Sequence, residues 1–260
     1  MEKGVSKAFQ DDSANRCFLV LAILVFLGAL CSTRANAEST DPLWQKAVEI
    51  ISISQGLVPG NVEVRFEWSN SKGKIISSQE HFSRNYLGDD GQVAVEILRV
   101  MKDGKDITEE QQLSATETPK NLGQTPQGNQ PKNDDAFAGI PFLREMQESV
   151  EVKPLGRQET IGKTLCVLYS YSLVNPDGEI NNGTAWLDAD SGYPVQIQFE
   201  PKTLPKHVSK MTTKTIFSLQ SGGYLCPTEV TMEMTVKFLL IKIGMRIQFK
   251  HDNYWQYIEK

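Results

Sequence analysis

The chain has 260 residues, 40% of them hydrophobic, with 32 acidic against 27 basic side chains and a net charge of −5. That length suits one well-buried domain and is thin for two. The acidic balance argues against a nucleic-acid partner, because such binding depends on displacing counterions from phosphates with a basic surface.

Cys17 to Cys31 is an apolar run of fifteen residues, followed by Ser32, Thr33, Arg34 and then Ala35-Asn36-Ala37. Fifteen is short for a membrane span, and the small-polar-small triplet suits a signal peptidase. Residues 1–37 therefore read as a signal peptide, with an exported mature protein starting at Glu38. Lys3, Lys7 and Arg16 are offset by Glu2, Asp11 and Asp12, so an uncleaved anchor is the competing reading. Leu30 is too large to precede a lipid-modified Cys31. Losing the leader takes the net charge from −5 to −6, since it carries four basic and three acidic residues.

The mature N-terminus reads as a helix: Asp41 caps, Pro42 suits the first helical position, and Leu43, Trp44, Ala47, Val48 and Ile51 recur at helical spacing. Gly56 and Pro59-Gly60 end it. Val62, Val64, Phe66 and Trp68 then alternate with Glu63, Arg65 and Glu67 as a first strand. A second runs from Lys74 to Tyr86, Gly88 to Gly91 turns the chain, and Val93 to Met101 is a third. Residues 116–135 hold one large apolar residue, Leu122, among three prolines and two glycines. That composition predicts a mobile insertion, a spacer more than a lid. Asp135 and Pro141 introduce a second short helix carrying Phe142, Leu143 and Met146.

From Glu151 onward the pattern is β. Leu165, Val167, Tyr169, Tyr171 and Leu173 share a face, Asn175 to Gly178 is a turn, and Ala185-Trp186-Leu187 leads through Asp190-Ser191-Gly192 to Val195, Ile197 and Phe199. Val230, Met232, Met234, Val236 and Phe238 alternate with polar residues, as do Ile243, Met245, Ile247 and Phe249. Regular alternation means antiparallel strands with one apolar and one wet face. The expected fold is α+β: about nine strands in a strongly curved antiparallel sheet, an incomplete β-barrel closed by two helices.

Two of the four cysteines leave with the leader. Cys166 and Cys226 remain as an even pair in an oxidising compartment, so a disulfide is expected, with two buried free thiols as the alternative. Its 60-residue loop would be worth roughly 4 kcal/mol in the chain-entropy picture.

No catalytic signature is present: there is no GxSxG, HExxH, P-loop or GxGxxG. His81, His207 and His251 are widely spaced and read as strand or surface residues, so no metal or cofactor is expected. An EF-type loop from Asp188 would need glycine at 193 and glutamate at 199, which are Tyr193 and Phe199. A turn, with Asp190 bonding its own backbone and Gly192 at positive φ, explains that segment. Asn182-Gly183-Thr184 fits a glycosylation sequon, but Asn-Gly is also a favoured hairpin turn and is read as one.

Three features bear on binding. The apolar faces of the last two strands, Val230, Met232, Met234, Val236, Phe238, Met245, Ile247 and Phe249, are candidate ligand-lining positions, the flexible thioethers suiting an adaptable pocket as well as an ordinary core. Residues 238–243 (FLLIKI) are apolar where a polar turn is expected, and are either buried or presented to a membrane or partner. In residues 202–214 every charge is positive; the segment reads as an edge strand protected by lysines, with an anionic headgroup or partner contact as the alternative.

Gly183-Thr-Ala-Trp186-Leu-Asp188-Ala-Asp-Ser-Gly192-Tyr-Pro194 resembles a G-x-x-W-x-D-x-x-x-G-x-P hairpin of the LolA/LolB-type outer-membrane lipoprotein-sorting superfamily. Glu159 to Leu168 resembles the preceding strand, and Met211 to Phe217, Tyr224 to Pro227 and Tyr254-Trp255 resemble later ones. The similarity is best over residues 151–260. It implies a periplasmic, non-enzymatic half-barrel whose apolar interior receives acyl chains of lipid or acylated protein. The carriers use an interior arginine, for which Arg84 and Arg65 are the possible counterparts here. Superfamily members also act as stress sensors, so a partner-binding module is the other function the resemblance implies.

Overall fold

The computed structural model describes residues 41–111, 139–238 and 241–257. The expected signal peptide, the 116–135 insertion and Leu239-Leu240 of the apolar tip lie outside them. No helix of the described residues is long and apolar enough to cross a membrane.

The first helix, α1 (Pro42–Ser54), forms where its spacing predicts. Asp41 Oδ1 accepts the backbone N–H groups of Leu43 at 3.0 Å and Trp44 at 3.3 Å, satisfying two donors that the first turn leaves unpaired. The same oxygen accepts the Tyr169 hydroxyl at 2.8 Å, which ties the helix N-terminus to the sheet. Trp44, Ala47, Val48 and Ile51 fall on one face and are buried, while Ile53 on the other is exposed.

The strands follow as β1 (Leu57–Val58), β2 (Asn61–Ser69), β3 (Ile75–Leu87), β4 (Val93–Lys102) and β5 (Lys105–Asp106). A 3₁₀ helix spans Arg144–Ser149. The remainder are β6 (Val150–Ile161), β7 (Thr164–Val174), β8 (Ile180–Asp188), β9 (Pro194–Pro201), β10 (Val208–Leu219), β11 (Leu225–Phe238), β12 (Ile241–Asp252) and β13 (Trp255–Gln256). β1 pairs only with β13. The other eleven strands form one open antiparallel sheet, ordered β5-β4-β3-β2-β12-β11-β10-β9-β8-β7-β6. Its one non-sequential neighbour pair is β2–β12, which joins a meander from the start of the chain to the last long strand.

Register places the apolar residues in rows across the sheet. Ile197, Thr215, Val230, Phe249, Val64 and His81 lie side by side on successive strands from β9 to β3. Side chains alternate faces along a strand, so paired residues share a face, here the one that α1 covers at β7–β11. The core forms there: Trp44 packs among Phe142, Tyr169 and Tyr171 at ring-centroid distances of 4.8, 5.8 and 6.4 Å, above Leu173, Leu187, Ile197 and Phe217. Gly183 sits directly opposite Tyr171, and any Cβ there would fall 2.4 Å from its ring. The opposite face is charged, with Lys250 reaching Glu63 at 3.6 Å and Arg246 reaching Glu233 at 3.1 Å.

Several expectations change. Thirteen strands among the described residues replace about nine, because β1, β5 and β13 are two residues each and too short to alternate. The helices cover only part of the sheet instead of closing it. The second helix is a 3₁₀ turn starting after Phe142 and Leu143. β10 lies between β9 and β11 with Thr213 and Thr215 buried, so residues 208–214 are not an edge strand. Asn182-Gly183-Thr184 is mid-strand in β8, not a hairpin turn. At the β8–β9 turn Gly192 does have positive φ, but Asp188, not Asp190, accepts the backbone N–H groups of residues 190 and 191. There Leu43 and Lys46 of α1 approach Gly192 closely.

The expected disulfide is also corrected. Cys166 and Cys226 are free, fully buried thiols on β7 and β11. Three strands separate them, roughly 19 Å along the sheet, where a disulfide needs Cα atoms within about 7 Å. Burial pushes both thiols above their ordinary values, Cys226 to about 11. Peptides carrying Cys166 and Cys226 will therefore run separately without reductant, each alkylated only after unfolding; a linked pair would contradict this packing. Replacing Trp44 with Ala will cost about 3–5 kcal/mol in urea unfolding, the range for a deleted core aromatic.

Candidate functional site

Sheet width sets the site. One helix cannot cover eleven strands, and beside α1 the apolar face opens into a cavity of about 890 Å³. Its floor comes from Phe199, Met211, Thr213, Thr215, Val230, Met232, Phe249 and His251 on β9 to β12. Its roof is Ile140, Leu143 and Met146, from the approach to the 3₁₀ helix and from that helix. The turn at Asn175–Asp177 with Glu179, the end of β9 at Pro201 and the loop holding Thr203 and Pro205 form the rim, and Glu145 of the 3₁₀ helix also lines the cavity.

The roof is held by the core. Trp44 Nε1–H donates to Gln147 Oε1 at 3.0 Å, and Gln147 Nε2 donates to the carbonyls of Pro141 at 2.8 Å and Leu143 at 2.9 Å. A buried indole N–H and a buried amide thereby satisfy each other and fix the segment that overhangs the cavity.

Of the residues singled out from sequence, Val230, Met232 and Phe249 line this cavity. Met234 and Met245 pair across β11–β12 and border a smaller, more polar hollow of about 410 Å³ with Glu67, Lys210 and Arg246. Val236 and Ile247 continue the same face and border neither. Phe238 ends β11 opposite Ile241. Neither arginine lines the cavity. Arg84 pairs with Glu96 at 2.5 Å on the exposed surface, and Arg65 reaches Glu67 at 3.0 Å and Glu80 at 3.4 Å among the charged rows.

Sequence reading missed the β10 contribution, Met211, Thr213 and Thr215, because the flanking lysines made the strand read as solvated. The signal was there in the period-two run from Met211 to Phe217. His251 was also missed. Its position places it beside Val62 on the cavity face, where its Nδ1 is buried without a hydrogen-bond partner, as is the Thr213 hydroxyl.

Burial pushes the His251 imidazole below its ordinary value, partly opposed by the Pro227 carbonyl, and burial acts likewise on His81. A lowered folded-state pKa means that the unfolded chain takes up the proton first as pH falls below about 6.5. This stability is fully present above that pH and falls with acidification until the folded-state imidazole itself protonates. His251→Gln will therefore lose less urea stability than the parent between about pH 7.5 and about pH 5.5, above the carboxylate range; equal slopes would contradict a buried neutral His251.

No family model matches the chain, and no curated protein matches it. Among solved structures it is similar to a LolA superfamily protein of Nitrosomonas europaea, with 13% identity over 84% of this chain and 93% of that one, TM-score 0.37. It is also similar to a domain assigned to outer-membrane lipoprotein sorting in Vibrio parahaemolyticus, at 11% identity over 82% and 92%, TM-score 0.34. A third likeness is to the MucA/MucB complex of Pseudomonas aeruginosa, at 9% identity over 84% and 100%, TM-score 0.25.

Proposed function

We propose that the protein is an exported, non-enzymatic binding protein for lipid acyl chains or lipoproteins, working in the periplasm in outer-membrane lipoprotein sorting. The observation that carries this reading is the cavity of about 890 Å³ between sheet and roof, with its mainly apolar wall. That volume is within the range of small-ligand sites, roughly 300–1,000 Å³. Each buried methylene is worth about 0.8 kcal/mol, so a long acyl chain offers roughly 10 kcal/mol before ordering costs. The sequence resemblance at Gly183 to Pro194 supports the same reading. Met211 and Met232 give the floor side chains that can repack around guests of different length.

Delipidated protein titrated with a fluorescent fatty acyl probe tests the proposal. Saturable binding is expected, with a loss of roughly ten-fold or more in Met232→Glu, since a carboxylate against an acyl chain costs more than the 1.4 kcal/mol of a ten-fold change. Lys250→Gln, on the opposite face, serves as the control and will bind as the parent does. Absence of probe binding in the parent would end the carrier reading and leave the partner-binding module in its place.

A further inference from the structure

On the charged face of the sheet several cations meet anions: Lys250 with Glu63, Arg246 with Glu233, Arg65 with Glu67 and Glu80. One corner gathers cations instead. Lys237 and Lys242 stand directly opposite each other across β11–β12, both exposed. Like charges in direct cross-strand register are destabilising, so folding alone does not favour this pair. Lys210, on the neighbouring strand, pairs with Thr235 two residues away, and the Lys237 N–H donates to the His207 carbonyl at 2.8 Å. That bond brings Lys206, next to His207, to the same corner, while Lys202 at the other end of the loop donates its N–H to the Ile180 carbonyl of β8 at 2.7 Å. All five lysines are exposed and none has an ion-pair partner among the described residues.

The cavity rim adjoins this corner. Pro201, Thr203, Pro205 and Met211 line the cavity, while Lys202, Lys206 and Lys210 occupy intervening positions of the same segment and reach solvent. The 201–211 side of the rim is thus cationic, while Glu145, Asp177 and Glu179 line the cavity elsewhere. Cationic ground beside an apolar hollow on that one side matches a molecule with an anionic head and a greasy tail, as a bilayer presents it.

We propose that the Lys206, Lys210, Lys237 and Lys242 corner, with Lys202 along the adjoining loop, docks the protein on an anionic phospholipid bilayer, the 201–211 side of the cavity rim turned toward the membrane surface. The choice of a bilayer over an acidic protein rests on the acyl-chain reading of the cavity. The chain is acidic overall, so docking is directional: this corner is drawn to a negative surface while the rest of the molecule is repelled.

Sedimentation with vesicles of equimolar phosphatidylglycerol and phosphatidylcholine, against pure phosphatidylcholine, tests this. The parent will bind the anionic vesicles selectively, and less as salt rises. Each lysine contributes roughly five-fold near such a surface, so Lys237→Gln with Lys242→Gln will weaken binding roughly 25-fold. Lys242→Glu separates docking from folding, because it replaces a like pair by an opposite pair. Its melting temperature will hold or rise while its vesicle binding drops. Equal sedimentation with both vesicle types, or none with either, would overturn the proposal, as would lysine variants that bind like the parent or a corner that retains only an acidic protein. The fatty acyl probe keeps the two readings apart. Lysine variants that keep probe binding and lose vesicles support docking. A parent that binds anionic vesicles but no probe keeps the dock and loses the carrier.

Discussion

The hydrogen bond from Trp44 to Gln147 is where fold and cavity meet. Eleven strands at about 4.8 Å spacing make a sheet roughly 48 Å wide, whereas a helix with its side chains is about 10 Å across. One helix can therefore seal only part of the apolar face, and the structure has to decide where. Trp44 decides it, by filling the space among Phe142, Tyr169 and Tyr171 and by ending in an N–H that needs a buried acceptor. Gln147 supplies that acceptor and turns its own amide to two carbonyls of the segment overhanging the cavity. The core under α1 and the roof over the hollow are thus one hydrogen-bonded unit, and the cavity is the space that begins where this unit stops.

What could be read from sequence follows the same physics. The helix was legible to within a residue, since a cap, an N1 proline and a five-residue apolar stripe are local signals. β2 and β12 were legible because in each one face is apolar and the other polar or charged, and β3 and β4 because turns bound them. β10 was legible as a strand but not as an interior one, because its lysines reach solvent on one face while small threonines are buried on the other, and threonine does not announce burial. Gly183 misled for a related reason: Asn-Gly is a turn signal in isolation, but here glycine is needed to let Tyr171 lie across β8. The cysteines could not have been placed from spacing. Whether two residues sixty positions apart meet depends on strand order, which alternation does not encode.

The candidate site was legible in part, and the part is informative. Val230, Met232 and Phe249 were found since they belong to alternating strands, yet Met234, Val236 and Ile247 share their alternation and border no part of the larger cavity. Periodicity gives the face of a residue; only the overhanging segment gives its distance from the roof. That segment, with Ile140, Leu143 and Met146, sits more than eighty residues from Val230 in sequence and carries no period of its own.

Beyond the cavity the apolar rows continue without a described cover. Val64, Phe66 and Trp68 on β2 lie in register with Phe249, Ile247 and Met245, and no residue of β2 is fully buried. Farther out on β4, Val95 is 63% and Ile97 45% exposed. Full burial of such side chains is worth about 1.5–3 kcal/mol each, so among the described residues the exposed positions of β4 are a standing cost to stability, although Val100 on the same strand is buried. The fold meets that cost by concentrating its tight packing at β7–β11, where Ile197 and Leu187 are wholly buried. The hollow is walled from the packed side, by β9 to β12 and the roof segment, and none of its lining residues comes from β2 to β4.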